Sequence, residues 1–364
     1  MFLICSSCSV STIKGRGAPH NQNSGRFHLP SHQADGDWID LTLMDEAEAP
    51  PPLRTTVTQE HARKIISRNQ SPDIGFDQSI NAYRGCEHGC IYCFARPTHA
   101  WLDLSPGLDF ESKLFVKADA AVLLRKELGK RGYVPSTIAM GTNTDPYQPI
   151  EARYGVTRAC IELLAECRHP LMITTKSDRV LRDLDLLARM AADGLVAVAL
   201  SVTSLDAALS RKLEPRAPHP RRRLAAIRAL SDVGVPAHAC LSPIIPAIND
   251  HEIEALVDAA AQAGARSISY IPVRLPHEVA PLFRDWLAEH YPDRAGKVMS
   301  LIQSMRGGRD NDPDFGTRMR GSGVYAELIR TRFARAAAKH GLANSRLNLR
   351  KDLFVPPNDQ GSLF

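Results

Sequence analysis

A chain of 364 residues, 44% of them apolar, is long enough for one large α/β domain with appendages and has the material for a real core. Its 45 basic against 40 acidic residues leave a net charge of only +5, and eight cysteines over this length make no disulfide framework. No apolar run approaches the length of a membrane span, so no membrane partner is expected.

The first residues, Met1-Phe2-Leu3-Ile4-Cys5, are briefly apolar but lack a basic flank, so a secretory signal is not expected and a cytoplasmic protein is. Cys5 and Cys8 stand alone as a C-x2-C and read as incidental. Up to residue 70 there is no sustained periodicity. Gly15-Arg16-Gly17, the acidic Asp45-Glu46-Ala47-Glu48 and Pro50-Pro51-Pro52 describe an extended, partly disordered arm with little core of its own.

After Ser71-Pro72 short β-rich runs alternate with helical runs. Strands are expected over 78–83, 136–141, 171–175, 195–202, 237–242 and 267–271. Helices are expected over 119–130, 156–167, 178–192, 221–233, 251–263 and 276–290. Cys160 and Cys167 fall on one helix face as small buried residues. Continuous apolar strands such as Leu195-Val196-Ala197-Val198-Ala199-Leu200 ask for burial on both faces, as in a parallel sheet covered by helices. Six β/α units are too few to close an eight-stranded barrel, so 71–290 is expected to form an open, partial (β/α)6 barrel. Residues 291–350 follow as a helical extension with one helix over 325–340, and 351–364 as a tail.

Chemistry concentrates just after the first strand. Cys86, Cys90 and Cys93 form a C-x3-C-x2-C run in which Gly85 and Gly89 let a short loop gather three sulfurs. Three thiolates on a four-iron cluster leave one iron open to another ligand. The competing interpretation is structural zinc with His88 as fourth ligand, but zinc sites draw their ligands in two pairs and only one loop is present. In barrels of this kind active sites lie where the strands end. The second strand runs out into Gly141-Thr142-Asn143-Thr144-Asp145, which could equally be an Asx-turn, and the third into Lys176. Ser201 and Thr203 close the fourth, with Glu214 and Arg216 shortly after. On the fifth, His238, Cys240 and Ser242 share one face at period two. Cys240 is either a hydrogen donor to a substrate radical or an inert core thiol. Between Arg211 and Arg228 seven basic residues face one acidic residue, a density that suits phosphates or an ordinary solvated helix face equally.

The cysteine spacing, with aromatic Tyr92 before the last cysteine, resembles the signature of the radical S-adenosylmethionine (SAM) enzymes. Asn81-Ala82-Tyr83-Arg84-Gly85-Cys86, Gly141 to Pro149 and the Lys176 strand end further resemble the spore photoproduct lyase-like, or DNA repair photolyase-like, branch. Lys14-Gly15-Arg16-Gly17-Ala18 resembles an uncharacterised bacterial subgroup of it. The resemblance implies a 4Fe-4S cluster on Cys86, Cys90 and Cys93, and SAM bound at the free iron. It also implies a flavodoxin- or ferredoxin-like electron donor and a 5′-deoxyadenosyl radical acting on a substrate; with the basic segment it makes nucleic acid the first candidate, ahead of a protein or small metabolite. It places Tyr92 and Gly141 to Asp145 beside SAM, Lys176 at its methionine carboxylate, Ser201 and Thr203 at its ribose or carboxylate, and Glu214 with Arg216 as a further clamp. One departure is plain: the lyase's hydrogen-donating cysteine belongs where this chain has Thr142-Asn143-Thr144-Asp145, and Phe94 replaces the tyrosine after the last cluster cysteine. The alternative is a non-catalytic iron-sulfur or zinc protein that binds nucleic acid.

Overall fold

The computed structural model describes residues 13–27, 53–342 and 348–357. The Cys5 and Cys8 pair, the acidic patch at 45–48, Pro50-Pro51-Pro52 and the end of the tail lie outside them. Among the described residues ten strands form two sheets. The larger has the order β10-β9-β8-β7-β6-β3-β2, made of β2 (Ile66–Arg68), β3 (Gln78–Ile80), β6 (Ile138–Met140), β7 (Leu171–Thr175), β8 (Val196–Ser201), β9 (Ala237–Ile244) and β10 (Ser267–Pro272). Strands β3 and β6 to β10 run parallel, and β2 adds an antiparallel edge. Among the described residues the two edges, β2 and β10, are not paired, so the sheet stays open, as six β/α units require.

All six residues of β8 are buried, because helices cover its outer face and the lumen its inner one. Helices over Val156–Glu166, Leu184–Ala192, Pro220–Asp232 and Ile253–Gln262 bury Ile161, Leu187, Ile227 and Val257 against the outer face. The third expected helix begins as a 3-10 segment, Asp178–Asp183, capped by the Ser177 hydroxyl.

A second core lies behind the cysteine loop. Ile91, Tyr92 and Leu213 pack there with Phe283, Trp286 and Ile302 from helices Val279–His290 and Pro292–Ser304. Trp286 is 1% exposed and donates its indole N–H to Lys212 O at 3.0 Å. Truncating a buried tryptophan to alanine costs about 3–5 kcal/mol, so this helix pair is a firm backing for the loop.

Three expectations change. The strand over 78–83 is broken: β3 stops at Ile80, and the chain switches into a three-stranded sheet of order β1-β5-β4, with β1 (Thr56–Gln59), β4 (Tyr83–Arg84) and β5 (Lys113–Val116). The helix over Pro292–Ser304 is additional; its Pro292 sits at the first position, where a missing N–H is harmless. Within the arm, residues 13–27 are packed rather than loose. Ala18 is fully buried, and the Glu111 carboxylate accepts the backbone N–H of Gly17 (2.9 Å) and Ala18 (2.8 Å).

Candidate active site

The cysteine loop hangs from the switch between sheets. At that point Asn81 turns aside and bonds the end of β6, donating to Thr142 Oγ1 at 2.9 Å and accepting from Asn143 N at 2.9 Å. Gly85 and Gly89 both take left-handed backbone angles, φ 73° and 68°, which fold the loop back on itself. Gly85 O then accepts from Thr144 Oγ1 (2.7 Å) and Gln148 Nε2 (3.2 Å), while Gln148 Oε1 accepts from Glu87 N (3.0 Å). The turn after β6 therefore clasps the start of the loop.

Cys86, Cys90 and Cys93 are free thiols at the edge of this clasp. Burial pushes all three up, and the Asp145 carboxylate and the other two thiols raise Cys86 further. Opposing this, backbone N–H groups of Asp145 point at Cys86 sulfur, and those of Ala95 and Arg96 at Cys93 sulfur. Amides aimed at sulfur are the partners a metal-bound thiolate wants. Among the described residues no three His, Cys, Asp or Glu side chains meet closely enough to hold a single metal ion. A four-iron cluster asks instead for sulfurs spread around a cube. His88, the fourth ligand of the zinc alternative, is turned to Asp145, with Nδ1 3.4 Å from Asp145 Oδ2.

Asp145 ties three elements together. Its Oδ1 accepts from Thr175 Oγ1 (2.6 Å) and Tyr147 N (2.9 Å), and its Oδ2 from Lys176 N (2.7 Å). Burial works against its charge, but His88 and these donors more than offset it and hold the carboxyl below its usual range. The bond to Tyr147 N is the Asx-turn that the sequence left open. Gly141 sits so close to β7 that an added Cβ would fall 2.0 Å from Thr174 O. The side chains of Thr142, Thr144 and Asp145 and the backbone N–H of Asn143 are thus bonded within the protein, while the Asn143 side chain is exposed, and together they shape the strand end as a turn.

Across the loop lies a buried cluster centred on Glu214. Its carboxylate pairs with Arg223, accepts the Tyr92 hydroxyl and the Thr203 hydroxyl (2.5 Å for the latter), and lies 3.6 Å from Lys176 Nζ. Burial opposes the charge, yet Arg223 and Lys176 outweigh it and pull the carboxyl down to about 2. Lys176, held 5.6 Å over the Tyr92 ring, is raised: burial disfavours its charge, and Glu214 more than restores it. Ser201 lies beside this cluster in register with Cys240, its carbonyl accepting from Arg223.

Three groups singled out in the sequence have partners that the sequence did not announce. Glu214 and Arg216 do not form one clamp, since Glu214 points inward while Arg216 reaches outward to Glu87 Oε1 at 3.0 Å. The Thr203 hydroxyl is bonded to Glu214 rather than left open. Arg223 does not belong to a basic surface, because it is 0% exposed and holds Glu214. Its role was readable: Arg223, Ala226, Ile227 and Leu230 fall on one helical stripe, and all are buried.

On β9 the alternation is borne out by burial. Ala237, Ala239 and Leu241 are fully buried, whereas His238, Cys240 and Ser242 are partly open. His238 contacts Ser267 Oγ and Ser269 Oγ of β10, each at 2.7 Å, and Ser269 Oγ lies 3.9 Å from Cys240 Sγ. Burial would raise the Cys240 thiol, but His238 and Ser269 reverse this and bring it below its ordinary value, with His238 raised in turn.

Comparison with known proteins agrees with this geometry. The Radical SAM superfamily pattern matches residues 80–260. An uncharacterized protein of Mycobacterium bovis is 37% identical over 74% of this chain and 76% of its own length. Another, from Methanocaldococcus jannaschii, is 31% identical over 52% of this chain and 68% of its own. Among solved structures, spore photoproduct lyase complexed with its dinucleoside photoproduct shares the fold at a TM-score of 0.56, with 18% identity over 78% of this chain and 79% of that one. The lyase with bound AdoMet and the same photoproduct matches at 0.56 with 17% identity. The chain belongs to the radical SAM superfamily and is an enzyme of that family, which uses a 4Fe-4S cluster and SAM.

Proposed function

We propose that Cys86, Cys90 and Cys93 hold the cluster with one iron left to SAM, and that the enzyme cleaves SAM reductively to act on a nucleic acid. The observation that carries the cofactor assignment is the trio of free thiols in one buried loop, with backbone amides directed at two of the sulfurs. When bound and reduced, the cluster supplies the electron that splits the sulfonium of SAM into methionine and a 5′-deoxyadenosyl radical.

The chain's own groups divide the remaining work. Lys176 meets the methionine carboxylate, and it is free to do so because Arg223 continues to balance Glu214. The rigid turn from Gly141 to Asp145 borders the ammonium, and Ser201 borders the ribose. Tyr92 and Thr203 hold Glu214 in place. In the lumen, Cys240 returns a hydrogen atom to the substrate radical, its S–H bond breaking as the new C–H bond forms. The thiyl left behind is restored by one electron from the reducing partner and one proton from solvent, with His238 beside it to pass the proton on. Nucleic acid is supported as the substrate class by the photoproduct bound in the lyase that shares this fold.

The test is anaerobic reconstitution with iron and sulfide, reduction with SAM present, and chromatography for 5′-deoxyadenosine. Its release, and its loss in Cys93→Ala, are the expected results. A reconstituted, reducible cluster that binds SAM and yields none would overturn the reaction. Zinc at one per chain, with no iron-sulfur absorbance, would overturn the cofactor assignment.

A further inference from the structure

A cleft of about 340 Å³ opens beside the cysteine loop, lined by His88 of that loop and by Asp178, Arg179, Arg216, His219 and Arg222. Its floor is metal-loop backbone and side chain: His88 stands between Cys86 and Cys90, its carbonyl accepts from Arg216 N at 3.3 Å, and Arg216 Nη2 pairs with Glu87. Its rim is basic. Arg179 and His219 are exposed, and Arg222 is 68% exposed although it pairs with Asp178. Three arginines and a histidine thus face one lining carboxylate.

We infer that this cleft is the docking face for an acidic one-electron carrier protein, which reduces the cluster through the loop that carries His88. The inference rests on the proposed cluster site. Two observations favour a redox protein over a nucleic acid. None of the lining residues belongs to the His238, Cys240 and Ser269 row of the lumen, so an occupant here leaves that row free. A carrier in the cleft also rests against His88, which stands between Cys86 and Cys90 in the loop proposed to hold the cluster. Clustered positive charge at such a face steers an acidic partner and makes association salt-dependent.

The experiment uses the reconstituted holoenzyme and the double variant Arg179→Glu/Arg222→Glu, neither residue being part of the SAM or lumen groups. Cluster reduction and 5′-deoxyadenosine formation are followed with two donors, a reduced acidic flavodoxin and photoreduced 5-deazariboflavin, which is small and uncharged. The expected result is a rise of about tenfold or more in the flavodoxin concentration needed for half-maximal rate, with a flatter salt dependence and an unchanged rate from deazariboflavin. Equal rates with flavodoxin in both proteins would overturn the docking face, as would a parallel loss with both donors. Loss of binding to a single-stranded oligonucleotide with flavodoxin kinetics intact would also overturn it and assign the face to nucleic acid. Failure of the wild-type protein to form 5′-deoxyadenosine even with deazariboflavin would instead defeat the proposed reaction.

Discussion

Two buried carboxylates brace the cysteine loop from opposite sides, and they are partnered differently. Glu111 faces the arm and is matched: it accepts from the Gly17 and Ala18 amides and from Arg96 at 2.5 Å, while Arg96 also donates to the carbonyls of Gly89, Cys90, Pro106 and Gly107. Glu214 faces the lumen and is surrounded by two cations and two hydroxyls, one cation more than its charge requires. A matched carboxylate fixes a backbone. An over-supplied one leaves a cation at hand for a ligand, and Lys176, at 3.6 Å rather than in close contact, is that cation.

The largest effects should come from unbalancing Glu214. Glu214→Ala strands Arg223 and Lys176 in the interior, and Arg223→Ala strands Glu214 beside Lys176 alone; each should cost about 3–5 kcal/mol in denaturant unfolding. Arg221→Ala, on the exposed side of the same helix, should leave the unfolding midpoint unchanged. Glu111→Gln should be milder, about 1–3 kcal/mol, because Arg96 keeps its carbonyls and the amide oxygen can still accept. A reversed order would undo the contrast between the two sites.

Lys176→Met sharpens it on the functional side. Removing a charge-assisted contact worth about 1.5–3 kcal/mol should weaken SAM binding by roughly tenfold or more, seen by titration calorimetry on the reconstituted enzyme, with little change in stability. Unaltered SAM affinity would separate Lys176 from the cofactor. Acid adds a smaller signature. Glu214 is depressed from 4.5 to about 2, so the stability it contributes is complete above 4.5 and is lost as pH falls toward 2. Glu214→Gln should flatten that part of the stability profile relative to the native protein. Smallest of all, Tyr92→Phe should cost about 1 kcal/mol, since Thr203, Lys176 and Arg223 still serve the carboxylate.

The parallel strands were legible because their signal is local. Val196 to Leu200 is apolar throughout, and β9 alternates residue by residue, so neither depends on distant partners to declare itself. The cysteine loop was legible for the same reason, since its three sulfurs and two glycines lie within nine residues of sequence. What escaped is non-local. Strand β4 is two residues long and exists only because Tyr83 pairs with Val116. Gly17 finds its carboxylate 94 residues away, and no periodicity in Gly15-Arg16-Gly17 announces it. The Glu214 cluster draws on Tyr92, Lys176, Thr203 and Arg223, which come from three separate β/α units. Arg223 was further masked by two arginines beside it that do face solvent.

The Gly17 and Ala18 contacts bear on how this protein is handled at the bench. The low-complexity look of the first seventy residues invites trimming to the barrel, yet a shortened chain beginning after residue 52 would leave Glu111 without two of its three donors, directly beneath Gly89. Such a protein would keep its sheet and helices and show normal circular dichroism while loading iron poorly. A failed reconstitution with trimmed protein would therefore report a missing strap at the metal loop, and would say nothing about the chemistry of the intact enzyme.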